Sequence, residues 1–511
     1  MTVFRINYYK KLFSAIKTRI AESPILYRLT KGTFWTLIGT VVSRLFTMIS
    51  SIYIARMLGK EGFGEIGMVQ STLGVFGVFA GFGLGITTTK YIAELRFTEP
   101  ERAGRITSLT IFVTFITSSL ILILCLLFAD YISVKTLGHP NLTPLLYAGA
   151  LLLFFSTIGG VFSAALSGFE SFKVIAKINI LMGALTLPLA ILLVSLYGTQ
   201  GAITSQTVIA ALSFILSALA LSKECHTSGI QISLAIEMWK EKLLLWSFSL
   251  PAMLSSMMVV PVTWLTNAIL VKQLNGFSEL GLFNAANQWR MLVIFLPNLL
   301  ASVMLPILSE THGRADKSDF ISTVSLNLRM TLVTALPFAV LVILLSEPIA
   351  YLYGKEYIKC NNIIIVLIIS SFLAVVNGTV GAALAGAGKM WLGSMFNLGW
   401  SIILAVSGLF LIPRYGGFGL SLAYLIAYLF HTIWQMFYVE IKLANDAIRK
   451  NKTLIIFSLA IMLPASYISL REQEMIFVRV FLVLISFVPF LQMFFAGIDG
   501  RRENREVKEL I

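Results

Sequence analysis

The chain has 511 residues, of which 57% are hydrophobic and only 13% charged, and its formal net charge is +14. A soluble domain carries about 25% charged residues, and its core cannot absorb apolar runs of about 18 residues or more, so the composition excludes an ordinary soluble fold and demands a bilayer. The basic surplus is scattered through short loops between apolar spans instead of gathered on one face, which excludes a nucleic-acid surface and fits the inside bias of membrane proteins.

Residues 1–32 hold seven basic side chains (Arg5, Lys10, Lys11, Lys17, Arg19, Arg28, Lys31) without a short apolar core and small-residue cleavage site. That is the pattern of a cytoplasmic amphipathic lead-in, not of a secretory signal. Fourteen apolar spans follow, at 33–57, 66–92, 106–129, 145–168, 178–197, 201–222, 245–270, 281–308, 327–346, 361–386, 391–412, 416–439, 454–470 and 476–496. Most match the ~20 residues that cross ~30 Å of hydrocarbon. The expected fold is therefore an all-α polytopic membrane protein of about fourteen transmembrane helices.

Charge sets the expected orientation. With the N-terminus inside, and with Arg56, Arg329 and Arg479 near span ends counted with the adjoining segments, the cytoplasmic side holds 27 Lys and Arg against 9 outside, while Arg44, Lys90 and Arg290 are assigned to spans. This bias predicts both termini on the cytoplasmic side.

The chain also repeats itself. Ala164-Ala165-Leu166-Ser167-Gly168 matches Ala382-Ala383-Leu384-Ala385-Gly386 at an offset of 218, which also relates Tyr197-Gly198 to Tyr415-Gly416 and Gly201 to Gly419. Phe63-Gly64-Glu65-Ile66 aligns with Leu280-Gly281-Leu282-Phe283 at 217. Two six-helix repeats are expected, an N-lobe at 33–222 and a C-lobe at 245–443, joined by a cytoplasmic segment at 223–244. Spans 13 and 14, within 444–497, have no counterpart, and 498–511 form a cytoplasmic tail. An even number of spans per copy implies a repeat axis along the membrane normal, as in alternating-access transporters. In the joining segment, Ile230, Ile232, Leu234, Ile236 and Trp239 mixed with Lys and Glu suit a piece lying on the inner leaflet.

Two stretches now carry a resemblance. Ile54-Ala55-Arg56-Met57-Leu58-Gly59-Lys60-Glu61-Gly62-Phe63-Gly64 leads into a span ending Gly81-Phe82-Gly83-Leu84-Gly85-Ile86-Thr87-Thr88-Thr89-Lys90-Tyr91-Ile92-Ala93-Glu94, and Leu280-Gly281-Leu282-Phe283-Asn284-Ala285-Ala286 opens a second-half span. These resemble the polysaccharide-export, Wzx-type flippase branch of the multidrug/oligosaccharidyl-lipid/polysaccharide exporter superfamily, over about residues 32–445. The resemblance implies a flippase that moves a polyprenyl-pyrophosphate-linked oligosaccharide, an O-antigen or other surface-polysaccharide repeat unit, from the inner to the outer leaflet of a bacterial inner membrane. It also implies membrane lipid as a partner, with a polysaccharide polymerase and a chain-length regulator as further candidates. A monomer without nucleic acid, cofactor or metal is expected. A peptidoglycan lipid-precursor flippase and a cation-coupled multidrug exporter stay open as alternatives. The exporter fits less well, because Glu65, Glu94, Glu310, Glu440 and Asp130 all stand at span ends.

A pyrophosphate crossing hydrocarbon needs cationic partners. Arg44 lies about eleven residues into span 1 and Arg290 about nine into span 8, both near mid-membrane at ~1.5 Å per residue. Arg44, Arg290 and Lys90 are the candidate substrate-binding residues. Snorkelling or a local carbonyl partner is the competing reading, and it is stronger for Lys90 near a span end. Lys173 and Lys177 are weaker candidates for the headgroup, and Trp35, Trp264, Trp289 and Tyr53 for stacking on sugars. Pro188, Pro251, Pro261, Pro297, Pro306 and Pro337 can kink their spans.

Other patterns carry no chemistry. Gly62, Gly64 and Gly67 spell G-x-G-x-x-G but follow a span, not a strand. The four histidines, His139, His226, His312 and His431, have no ligand spacing. Cys125, Cys225 and Cys360 are isolated, so free thiols are expected. No catalytic constellation is present, which points to a transporter and not an enzyme.

Overall fold

A chain this apolar must satisfy its own backbone N–H and C=O groups inside the bilayer, and the helix does so within each segment. The computed structural model describes residues 24–493 except 234–235, 251–252, 254–256, 314–316 and 472–474, and every regular element among them is helical. In chain order they are α1 (Pro24–Gly81), α2 (Leu84–Leu95), α3 (Pro100–Asp130), α4 (Leu142–Gly168), α5 (Phe172–Thr227), α6 (Val260–Val271), α7 (Gly276–Gly313), α8 (Lys317–Leu344), α9 (Ser346–Tyr353), α10 (Cys360–Gly386), α11 (Met390–Tyr438), α12 (Lys452–Arg471) and α13 (Ile476–Ser486). Among the described residues, nine helices are long and apolar enough to cross a membrane. The chain is a multi-pass membrane protein.

Three of those nine are far too long for one crossing. Phe172–Thr227 runs 56 residues and Met390–Leu443 runs 54, about 80 Å at ~1.5 Å per residue against ~30 Å of hydrocarbon. Each is broken by a glycine: Gly198 with φ 57° and ψ −132° in α5, and Gly416 with φ 58° and ψ −133° in α11. The third, α1, breaks at Gly59 (φ 68°, ψ −179°). Only glycine adopts these angles without a steric cost. Spans 5 and 6 are thus the halves of α5, and spans 11 and 12 the halves of α11. Span 2 is interrupted at Phe82 and Gly83, both with positive φ, and span 7 is helical at Leu245–Ser249 and again in α6. Pro188 and Pro337 sit inside helices and Pro261 in the first turn of α6; the sharp breaks fall at glycine instead. Pro251, Leu234, residues 1–23 of the N-terminal lead-in and the C-terminal tail lie outside the described residues.

The described residues divide into two compact units, Thr72–Ser256 with the chain up to Ile54, and Ala55–Ser71 with the chain from Met257 onward. In the first unit, α1 meets α5 through small residues: a Cβ on Gly39 would lie 2.7 Å from the Ala176 Cα, and one on Gly183 2.9 Å from the Ser43 Cα. Such small-on-small seats let helix backbones approach closely without a hydrophobic drive. The joining segment straps onto α3. Glu241 accepts from Arg102 Nε at 3.3 Å and Arg105 Nη2 at 3.4 Å, Ser233 N donates to Ser108 Oγ at 3.0 Å, and Trp239 sets its ring edge-on to Phe112. Ile236 and Leu243 stay exposed beside them, the arrangement expected of a piece lying at a membrane surface.

In the second unit, the stretch 55–71 crosses the start of α7 at glycines. A Cβ on Gly64 would stand 1.8 Å from the Phe277 carbonyl oxygen, one on Gly281 1.8 Å from that of Lys60, and one on Gly67 1.7 Å from Asn284 Nδ2. These contacts are reciprocal at the 217 offset, since 60 pairs with 277, 64 with 281 and 67 with 284. The glycine-rich motif is therefore a helix-crossing device. α12 and α13 pack on α8, at whose end Arg479 Nη1 donates to the Leu344 carbonyl at 3.1 Å and Ser346, the first residue of α9, shares a hydrogen bond with Ser469 at 2.7 Å.

The repeat is visible in both units. Ile106, Ala165 and Leu166 are buried together in the first, and Val324, Ala383 and Leu384, each 218 residues on, in the second. A Cβ on Gly201 would meet the Leu193 carbonyl oxygen at 1.8 Å, and one on Gly419 that of Leu411 at 2.2 Å. The three cysteines are free and buried, as expected.

Candidate functional site

Arg290 lies mid-way along α7, and one turn earlier Asn287 offers its Oδ1 to Arg290 Nη1 at 3.2 Å. The second half of α11 supplies Tyr424 and Tyr428, which the i, i+4 spacing puts on one face. Tyr428 Oη accepts from Arg290 Nη2 at 3.0 Å. The guanidinium carbon stands 5.4 Å from the Tyr424 ring centre and 5.8 Å from that of Tyr428, both within cation–π range. Trp400, from the first half of α11, closes the cluster with its ring 5.2 Å from Tyr428 and 5.9 Å from Tyr424.

Two features of this cage matter chemically. Arg290 is 9% exposed, yet no carboxylate among the described residues pairs with it; neutral oxygens and ring faces hold it instead. An amide oxygen and a phenol stabilise the guanidinium without cancelling its charge. The buried Arg290 Nε and Trp400 Nε1 also have no hydrogen-bond partner among the described residues. A buried donor without an acceptor is costly. The cage thus presents a desolvated cation, unfilled N–H donors and aromatic faces, and what fits is a ligand carrying anionic oxygens beside rings or sugar faces.

The other candidates occupy plainer settings. Arg44, on the first part of α1, and Lys90, on α2, are exposed, and Lys90 Nζ lies 4.7 Å above the ring of its neighbour Tyr91. Lys173 is also exposed and sits over Trp35 at 5.4 Å, and Lys177 is exposed. Trp264 on α6 and Tyr53 on α1 are half-buried. The cage residues Asn287, Trp400, Tyr424 and Tyr428 were not singled out by the sequence. Asn287 and the two tyrosines had a signal, their i−3 and i, i+4 spacing, but nothing local ties Trp400 to an arginine 110 positions away.

Residues 29–312 match the family model described as polysaccharide biosynthesis protein, and residues 251–411 match the model named MatE. The chain is 24% identical to the EPS I polysaccharide export inner membrane protein EpsE of Ralstonia nicotianae, over 77% of this chain and 91% of that protein. It is 23% identical to the lipid III flippase of Escherichia coli, over 78% of this chain and 95% of that one. Among solved structures, the lipid II flippase MurJ in an inward closed conformation superposes with a TM-score of 0.68 at 16% identity, covering 91% of this chain and 99% of that one. That likeness shares the fold.

Proposed function

This chain belongs to the polysaccharide biosynthesis protein family, and we propose that it is a flippase carrying a polyprenyl-pyrophosphate-linked oligosaccharide from the inner to the outer leaflet of a bacterial inner membrane. It is a transporter, not an enzyme. The substrate is the repeat unit of an O-antigen or another surface polysaccharide, moved by alternating access with both termini cytoplasmic. Similarity over 77–78% of this chain to a polysaccharide export protein and to a lipid III flippase supports this reading.

The observation that carries the substrate class is Arg290, a buried cation held by Asn287, Tyr428 and two ring faces with no acidic partner among the described residues. A pyrophosphate diester supplies the missing negative charge and acceptors, and a bidentate guanidinium suits its geometry. Trp400 and the tyrosines offer faces to the first sugar. Arg44 and Lys90 are proposed as substrate contacts of the first unit, taken by itself. A polymerase and a chain-length regulator, which act on the delivered saccharide, are its proposed partners, and the working unit is the monomer.

The test is deletion and reconstitution. A strain lacking the chain should lose surface polysaccharide and accumulate lipid-linked saccharide on the cytoplasmic leaflet. Purified chain in vesicles should expose a fluorescent polyprenyl-pyrophosphoryl saccharide to an external glycosidase. Normal surface polysaccharide in the deletion strain, with no exposure in vesicles, would overturn the assignment.

A further inference from the structure

His431 lies one turn beyond Tyr428 on the cage stripe of α11, in which positions 424, 428, 431 and 435 follow the i, i+4, i+7 pattern of a single helix face. It is buried, and both ring nitrogens face amides. Asn377 Nδ2 on α10 is 3.3 Å from Nδ1, and Gln435 Nε2 is 2.8 Å from Nε2. The opposite atoms of both amides, Asn377 Oδ1 and Gln435 Oε1, are buried with no partner among the described residues. Phe396 covers one side of the ring at 6.4 Å.

This sandwich has a definite protonation logic. A neutral imidazole has one N–H and one acceptor nitrogen, so it meets one amide N–H and needs one amide oxygen. An imidazolium has two N–H groups and needs two oxygens. Each amide can turn over within its own outline, exchanging nitrogen for oxygen. With both turned, the two idle oxygens become acceptors for the two ring N–H groups. The site is thus equipped for the charged ring without any carboxylate, and a buried ionisable side chain in a membrane span marks function by default.

The titratable groups on the helices packed against α11 are few. On α7 they are Arg290, Glu279, Glu310 and His312; on α10 there is Cys360 alone; α6 has none. Glu279 is committed to the Gly417 N–H at 2.9 Å, and Cys360 donates to the Leu282 carbonyl. Glu310 and His312 stand in the last turn of α7, some twenty residues from Arg290. On α11 itself Arg414 and Tyr415 are exposed beside the Gly416 break and Tyr438 is bonded to Lys389; beyond it Glu440 accepts from the Ile448 N–H and Lys442 is exposed. Arg290 is the charge joined to the His431 stripe, through Tyr428.

We propose that His431 is a proton-binding site, clasped between the carbonyl oxygens of Asn377 and Gln435, whose occupancy is linked to anion binding at Arg290. This rests on the reading of Arg290 as the pyrophosphate contact. An empty Arg290 repels a proton from His431, and an anion on Arg290 removes that repulsion. By reciprocity, a proton on His431 tightens the anion, so affinity rises as pH falls.

The experiment measures binding of farnesyl-pyrophosphoryl-glucose to the detergent-solubilised full chain between about pH 4.5 and 8.5, a range in which this diester keeps constant charge. Wild type should bind about tenfold more tightly at the acid end, and adding the probe in weak buffer should draw protons from solution. His431→Gln should bind with the same affinity across the range and take up no protons. If that variant does not fold, Asn377→Leu, which removes one carbonyl oxygen, should move the midpoint to lower pH. Wild-type affinity independent of pH, or an unchanged pH dependence in His431→Gln, would overturn the inference. Arg290→Ala separates the two ideas: binding unaffected by that change overturns the headgroup reading, whatever the pH dependence.

Discussion

The two copies of the repeat agree in backbone and disagree in chemistry. Gly198 and Gly416 adopt the same left-handed conformation within a degree in φ and in ψ. Gly168 and Gly386 end α4 and α10 with the same set of hydrogen bonds, from residues 169, 170 and 171 in one and 387, 388 and 389 in the other. Yet where the second copy carries Arg290, Trp400, Tyr424, Tyr428, Asn377, His431 and Gln435, the first has Leu73, Met182, Gln206, Ala210, Gly159, Ser213 and Ser217 at the corresponding positions. A duplicated scaffold needs both copies for its shape. A polar device inside a membrane is expensive, and this one is installed once.

The sharpest way to break that contrast is at Arg290. Arg290→Ala should cut saccharide export about 100-fold or more at unchanged membrane abundance, while Leu73→Ala at the repeat-related position should leave export per folded molecule within about twofold. Complementation of a deletion strain, normalised to immunoblot, reads both. Full export by Arg290→Ala would remove the functional half of the comparison.

Next in size is the shared scaffold. Gly201→Ala and Gly419→Ala each press a methyl against a main-chain carbonyl, so each should cost about 1–3 kcal/mol or more. Unfolding temperatures followed by fluorescence-detected size exclusion should fall alike for the two. A drop in only one would show that the copies are not structurally equivalent.

A finer cut is Tyr428→Phe, which keeps the ring and removes the acceptor of the 3.0 Å bond from Arg290. The loss of about 1 kcal/mol, typical of such a bond, should weaken binding of a pyrophosphoryl probe several-fold, visible by titration calorimetry. Arg290→Lys should keep part of the binding, because the charge survives and the fork does not.

The smallest effect is the difference between the two glycine turns. Gly198→Ala and Gly416→Ala both force an L-residue to positive φ with ψ near −130°, a region nearly confined to glycine, at about 1–3 kcal/mol. Gly416→Ala should be the worse, because its Cβ would meet Glu279 Oε2 at 2.8 Å and disturb the carboxylate that caps the Gly417 N–H, whereas nothing crowds Gly198. Gly62, at the position related to Glu279, has no carboxylate to lose. Equal melting shifts would mean that Glu279 contributes nothing to the turn.

Composition, span length and the 218-residue offset determined the bilayer setting, the all-helical fold and the duplication, because a membrane leaves the backbone few options and a repeat writes itself twice. Arg290 was legible for the same reason: a charge inside a long apolar run must have a purpose or a partner. The partner was not legible. Tyr428 and Asn287 are spaced for one helix face, but which face α11 turns toward α7, and that Trp400 from the other half of a broken helix arrives there, depends on packing between segments more than a hundred residues apart. The four histidines looked alike in the sequence. Only the helix crossing of α10 and α11, which sets Asn377 and Gln435 on the two sides of one imidazole, distinguishes His431, because hydrogen-bond geometry is a property of neighbours in space and not of spacing along the chain.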